Sequence, residues 1–347
     1  MPFKIINISQ KEEWLTCVNS CITYDFYHTW QYHSIDPKGE AMLFVYSEKD
    51  VFVAFPLIKR AIPNTSYYDL TSAYGYVGPI SNVKFNTLTE SFLTNLKKSL
   101  LGYMKQENII CLFSRLHPLI DQSAVIDRFG GKVVNGKTVF IPLDKPIESQ
   151  RLGYRNNHLR DINSLRGKNI SFKEALADND IEEFVIIYTE NMKRINASDE
   201  YFFNHQYFKQ LVHSNEFTGQ ILLLYLDEIP IAGCVFIYTN EIIQVHLIAT
   251  KTEFLHESPT KVLIDEVSYI GRARGMRYLH LGGGVGGKND PLFYWKAGFS
   301  PCYLMFETWR IINDLVTYNQ LCYDHLELVD NADDKNDYFP LYRKSLV

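Results

Sequence analysis

The sequence predicts an α/β (α+β) protein made of two tandem, similar units, each a mixed, mostly antiparallel sheet flanked by helices. Two observations carry this. A strand hairpin, a long helix, a strand, a short helix and a glycine turn occur in that order once before residue 150 and again after it. Tyr46 of the first hairpin aligns with Tyr225 of the second, and Gly130 with Gly298, so the repeat keeps its register apart from a modest insertion. The length of 347 residues, with 46% hydrophobic and 22% charged residues, suits two medium domains that each bury a core. The expected division is 1–150, 151–325 and a tail, 326–347, that packs back.

The elements follow from pattern. Phe3 to Ile8 alternates as an opening strand, Ser9 starts a helix to about Ser20, and Tyr24 to His33 reads as an aromatic helix capped by Asp25. Met42–Tyr46 and Val51–Ile58 flank the turn Ser47-Glu48-Lys49-Asp50 as a hairpin. A strand breaking into a Tyr/Gly loop (67–80), an amphipathic helix (85–106), a buried strand (109–114) and a helix, Gly130-Gly131 turn and strand (126–142) complete the first half. The second half opens with a basic helix over 153–165, on whose line Arg151, Arg155 and His158 form one stripe. A strand (170–173), helices over 180–194 and 207–213, the hairpin 221–226/231–238 and a strand over 243–250 follow. Ser258 is positioned to cap a helix with Pro259 at its first position. The tail reads as a helix to about His325, a solvated acidic loop over 330–337, and an aromatic ending that docks.

Composition excludes several classes. A net charge of −5 argues against whole-surface binding to nucleic acid or anionic lipid. The six cysteines form no C-x-x-C pair and have no nearby His cluster, so neither a metal site nor a disulfide framework is expected. MPFKIINIS has no signal pattern and no apolar run spans a bilayer, so a cytoplasmic location is expected. With 23 Tyr and 22 Phe, a cleft with apolar walls and hydroxyl groups is one outcome, and ordinary core rims are the other.

The chain converges on MRYLHLGGGVGGKNDPLFYWKAGFSP, from Met276. A buried strand at Tyr278–Leu281 runs into glycines and then a helical turn carrying Tyr294, Trp295 and Lys296, which presents backbone N–H groups above the strand end. Gly282, Gly284 and Gly287 satisfy G-x-G-x-x-G, but the segment lies too late for the strand–helix–strand unit a dinucleotide fold needs. The same stretch nearly satisfies a phosphate loop, except that Asn289 replaces the magnesium-binding hydroxyl. The plainer reading is that the glycines let the chain leave a buried strand with unusual backbone angles.

With these pieces in hand, the hairpin–strand–helix–strand unit resembles the GNAT acyltransferase fold. Its duplication resembles the Fem-type aminoacyltransferases of peptidoglycan cross-bridges and the BioF-like acetyltransferase domains. The matching pieces are TENMKRINASDEYFFNHQYFKQL from Thr189, LIATKTEFLHESPTKVLIDEVSYIGRARGMRYLHLGGGVG from Leu247 and LFYWKAGFSP from Leu292, with YDFYHTWQYH and YDLTSAYGYVGPI upstream. One departure stands out: where the GNAT fold has a glycine-rich Q/R-x-x-G-x-G/A turn for coenzyme A pyrophosphate, this chain has LHESPTKVL.

The resemblance implies transfer of an acyl group to an amine of a cell-envelope or nucleotide-sugar intermediate. The donor would be acyl-CoA (acetyl-CoA) or an aminoacyl-tRNA, the acceptor small or nucleotide-linked. A non-catalytic ligand-binding module that keeps the fold is the alternative. Trp295-Lys296 resembles the family's Phe-Lys pair, which makes Lys296 the leading catalytic residue, with Tyr294 beside it and His246, on the strand 243–250, as a candidate base. Arg194 lies in the segment similar to the Fem substrate-binding helix. Asp25, Tyr27, His28, Tyr74 and Tyr201 are candidates for the acceptor cleft. Ser258, Thr260 and Arg155 are candidates for the donor, through hydroxyls, helix amides and charge. Core packing, helix-end capping and a solvated linker face are the plainer fates of His246, Arg194 and Arg155 respectively.

Overall fold

The computed structural model describes residues 3–35, 39–327 and 338–344. The chain forms two compact units, one from Met1–Asn135 with Phe306–Val347 and one from Gly136–Met305.

The first unit begins with β1 (Phe3–Asn7), α1 (Lys11–Asn19) and α2 (Trp30–Ile35), followed by the hairpin β2 (Glu40–Glu48) and β3 (Val51–Ala61). The expected single helix over Tyr24–His33 is two pieces, a 3-10 turn at Phe26–His28 and then α2. Asp25 explains the break: its carboxylate accepts the Phe26 amide while His28 Nδ1 accepts the Asp25 amide, and Thr29 is extended. β4 (Tyr68–Thr71) and β5 (Ile80–Ser81) are short, α3 (Glu90–Gln106) is capped by Thr89, and β6 (Ile109–Arg115) and α4 (Ser123–Phe129) follow. Phe92, Leu96, Leu100 and Tyr103 recur at helical spacing on α3 and are buried against Phe44, Phe55 and Leu112 of the sheet.

The second unit contains most of β7 (Lys132–Pro142), then α5 (Ile147–Leu152), α6 (Asn156–Arg166), β8 (Ile170–Glu174), α7 (Asp178–Arg194) and α8 (His205–Val212). The hairpin β9 (Thr218–Leu226) and β10 (Ile229–Thr239), β11 (Ile242–Thr250), α9 (Pro259–Ala273), β12 (Tyr278–Gly283) and α10 (Pro291–Lys296) complete it. The expected stripe of Arg151, Arg155 and His158 is not one helix face: α5 ends at Leu152 with Gly153 as its cap, so Arg151 belongs to α5 while Arg155 stands at the cap of α6 and His158 in its first turn. In sheet order the strands run β7-β12-β11-β10-β9-β8, parallel only between β12 and β11. Its core joins Ile231, Phe236, Ile243, Leu263, Val267, Leu279 and Phe299.

β13 (Tyr303–Ile312) carries the chain back into the first unit, where Thr308–Ile312 pairs antiparallel with β6. The first sheet therefore runs β1-β2-β3-β4-β6-β13, parallel only between β4 and β6. In each unit a long helix, α3 or α9, connects the parallel pair, which is the duplicated feature the sequence order announced.

After α11 (Leu315–Glu327) the expected acidic loop over 330–337 lies outside the described residues. Tyr342 and Arg343 bond within the first unit. The Tyr342 hydroxyl donates to Asp69 Oδ2 at 3.1 Å and Arg343 Nε to the same oxygen at 2.5 Å, while Arg60 Nε donates to Oδ1 at 2.7 Å. Asp69 is fully buried, so these donors replace the water its carboxylate gives up. Arg343→Ala is expected to lower stability by about 1.5–3 kcal/mol in urea unfolding, the range for a hydrogen bond to a charged group. A loss under about 0.5 kcal/mol would mean that Arg60 and Tyr342 suffice.

Candidate active site in the second unit

β11 and β12 pair through three positions, Ile242 with Tyr278, Ile243 with Leu279 and Gln244 with His280. Beyond these they part. β12 continues against β7, with a register shift between His280 and Gly282. β11 continues against β10, with a shift that leaves His246 out of the ladder between Val245 and Leu247. Two parallel strands that start together and diverge form a fork whose facing edges carry peptide groups outside the ladder, suited to an extended ligand.

α9 follows β11 through the turn Thr252–Glu257, so its positive end lies toward the far end of β11. Ser258 stands at the cap position but does not cap: it is left-handed (φ 51°, ψ 44°) and its side chain accepts no helix amide. Pro259 supplies no N–H, and Thr260 is partly buried in the first turn. Nearby charges are paired, Lys261 with Asp161 at 2.5 Å and Lys168 with Glu257 at 2.6 Å.

The glycine loop is filled from within. Asp290 Oδ2 accepts the Val285 amide at 2.9 Å and Oδ1 the Phe293 amide at 2.8 Å, so a carboxylate occupies the place a phosphate loop keeps for its ligand. Burial works to raise the Asp290 pKa, but these amides prevail and hold it below the ordinary value. Gly287 is left-handed (φ 81°), and a Cβ on Gly136 of β7 would stand 1.8 Å from its carbonyl oxygen, so the loop lies flat on β7.

Lys296 ends α10 and reaches back to β12, where Nζ donates to Gly283 O at 2.7 Å. The residue as a whole is partly exposed, and burial of its charged end is what weighs on its protonation. Loss of water pushes its pKa down to about 8, with the charge of Asp290 opposing the shift. Tyr294 points outward at 51% exposure, and its carbonyl accepts Arg155 Nη1 at 2.8 Å. His158 is buried and its Nε2–H donates to Trp295 O at 2.9 Å. Burial lowers the His158 pKa.

His246 is buried on β11, with Nε2 2.6 Å from the Tyr207 hydroxyl of α8. Two residues earlier on the strand, Gln244 Oε1 lies 2.7 Å from His280 Nδ1, at the last paired position before the fork. Arg194 is held by the chain itself: Nη1 donates to Thr250 O at 2.9 Å and Nη2 to Asn191 Oδ1. Tyr201 lies in a 3-10 turn, its carbonyl accepting the Tyr188 hydroxyl at 2.7 Å.

The remaining candidates belong to the first unit. Asp25, Tyr27 and His28 are buried, and Asp25 Oδ2 sits 2.8 Å from His117 Nε2. Burial pushes the His28 pKa down to about 3. Tyr74 is partly buried and accepts the Tyr32 hydroxyl on its carbonyl at 2.9 Å.

Sequence reasoning missed Asp290, Tyr207, Gln244 and His280. Asp290-Pro291 was detectable, being an N-cap residue before a proline at the first helical position. The Gln244–His280 and Tyr207–His246 pairs depend on strand register and helix docking, which carry no local signal. Among the described residues no group of three or more His, Cys, Asp or Glu side chains is gathered for a metal, and no helix is long and apolar enough to cross a membrane.

Residues 153–301, within the second unit, match the family described as acetyltransferase (GNAT) domain. The crystal structure of FemX is similar at a TM-score of 0.71 and 12% identity, over 92% of this chain and 99% of that one. L-PGS from Bacillus licheniformis is similar at 0.58 and 13%, over 88% and 93%. A tandem GNAT protein from the clavulanic acid biosynthesis pathway is similar at 0.51 and 10%, over 90% and 98%. No curated protein sequence matches. At such identities the likeness establishes a GNAT-type fold rather than a substrate.

The lysine gives the site a pH signature. Its depressed pKa means that the unfolded chain holds the proton more tightly, so this group costs stability below about pH 8, and the cost fades as pH rises toward its ordinary 10.5. Lys296→Met is therefore expected to melt above wild type at pH 7, with a difference that shrinks between pH 8 and 10.5. A difference constant across that window would contradict the enclosed ammonium.

Proposed function

We propose that this protein is an acyltransferase that forms an amide on an amine acceptor, with the activated acyl group lying in the β11–β12 fork of the second unit. The observation that carries the reading is Lys296, a dehydrated ammonium tied to the last residue of β12 beside that fork. The acceptor nitrogen attacks the acyl carbon, the new C–N bond forms, and the C–O or C–S bond to the donor breaks. The nitrogen loses a proton and the departing oxygen or sulfur gains one. Negative charge grows on the carbonyl oxygen and then on the leaving atom, and a cation held in a water-poor setting stabilises both. In this reading Lys296 acts in its charged form and Tyr294 borders the entrance. His246, with Tyr207 on its ring, lies on the strand that lines the fork and serves the acceptor's proton.

The acceptor is read as an amine of a cell-envelope or nucleotide-sugar intermediate, and the donor as an aminoacyl-tRNA or acyl-CoA. The start of α9 offers the Ser258 and Thr260 hydroxyls but lacks the glycines that let a backbone wrap a diphosphate, and Glu257 stands immediately before it. These residues do not build a diphosphate cradle by themselves, so no step is assigned to coenzyme A. The site requires only the ester or thioester that both donors share.

The test is a transfer assay with acetyl-CoA and with aminoacyl-tRNA against a UDP-linked muramyl peptide, alongside calorimetry of each ligand. Lys296→Ala is expected to lower kcat by about 10²–10³-fold with melting preserved. Wild-type turnover should fall as pH rises through about 8, because the charged form is then lost. Turnover that rises through that pH would assign the lysine to proton abstraction. Ligand binding with no turnover under any donor would favour a module that kept the fold without the chemistry.

A further inference from the structure

Three side-chain hydrogen bonds close the loop between β12 and α10, besides its own backbone turns. Lys296 Nζ joins the end of the helix to Gly283 O, and the two oxygens of Asp290 take one amide from the loop and one from the helix start. No slack remains: a Cβ on Gly284 would stand 2.3 Å from Asp290 Oδ1 and 2.1 Å from Lys288 O.

We propose that Asp290 is the positioning residue of this site, whose carboxylate, shared between loop and helix, fixes the place where the Lys296 ammonium is held against Gly283. The catalytic part rests on the acyltransferase reading above, whereas the arrangement itself does not. A cap alone would need only the Phe293 amide. The second oxygen, on the Val285 amide, ties the loop two residues after Gly283, the lysine's acceptor at the end of β12, and the charge sits close enough to favour the ammonium.

The other titratable groups around the loop are directed elsewhere. Lys288 is exposed, Lys137 of β7 lies over the Tyr303 ring, and Arg155 and His158 are bound to the Tyr294 and Trp295 carbonyls. Asp290 is the group whose charge acts on Lys296.

The experiment uses the full chain. Acetic anhydride reactivity of Lys296, followed by peptide mapping from pH 6 to 10, gives its titration midpoint without any assay of turnover. Asp290→Asn keeps the size and one acceptor oxygen but removes the charge, and is expected to move that midpoint down by about one unit. The alkaline limb of turnover should move with it, with the donor KM held within about twofold. Asp290→Glu, which keeps the charge, is expected to stay near the wild-type midpoint and serves as the second variant if Asp290→Asn fails to fold. An unchanged midpoint in Asp290→Asn, with or without a lower melting temperature, would reduce Asp290 to a helix cap and overturn the proposal. So would a fall in Asp290→Glu as large as that expected for Asn. If wild type transfers no acyl group, the acyltransferase reading fails, while the labelling midpoints still decide the role of Asp290.

Discussion

The ladder between β11 and β12 stops at Gln244 and His280, and the arrangement of the second unit follows from that stop. Each strand shifts register against its outer neighbour just past that level, β11 against β10 at His246 and β12 against β7 between His280 and Gly282. A bulge bends its strand and sharpens the local twist. Two bulges at one level, in strands that share an edge, turn the strands away from each other. Gly282, at φ 75°, lets β12 make its part of this turn without steric penalty. The fork is therefore a consequence of backbone geometry and does not depend on any single side chain filling it.

Ile243 and Leu279 pack the paired part of the two strands, and the polar Gln244, His280 and His246 are buried at or past the last paired position, with Tyr207 of α8 against His246. Burying each of these groups costs about 1–3 kcal/mol unless it is hydrogen-bonded, and the two short contacts offset that cost. The first unit uses buried polarity differently. Asp69 gathers Arg60, Tyr342 and Arg343 at one carboxylate, and there the result is a docked chain end.

What the sequence disclosed was local. The hairpins were visible because apolar runs of strand length flank turn residues, and α3 and α9 because their apolar residues recur at helical spacing. The glycine segment was visible as a place where the backbone turns, but its partner was not: spacing suggested amides open to an anion, and Asp290 supplies the anion from inside the loop. Arg151, Arg155 and His158 looked like one charged stripe because i, i+4, i+7 spacing assumes a continuous helix, and Gly153 ends it. Instead Arg151 pairs with buried Asp265 at 2.6 Å, a partner more than a hundred residues away that no pattern could name. Lys296 was conspicuous because it follows Tyr294 and Trp295 in a short apolar run, but its bond to Gly283 depends on how α10 folds back on β12.

A helix of six residues cannot hold itself in water, since nucleation costs more than so few bonds return. α10 is therefore held from outside at both ends. Asp290 satisfies the amide at its start, and Arg155 and His158 satisfy the Tyr294 and Trp295 carbonyls near its end, where a cation also suits the helix dipole. Arg155 is exposed, so its own share is small, and the buried His158 ring, against which Gly298 leaves no room for a Cβ, is the firmer of the two. Arg155, a donor candidate by its charge, and His158 thus brace the turn that carries Lys296. A lysine meant only for solvent would need no such bracing, and that is the structural reason to seek the chemistry of this protein at the end of β12.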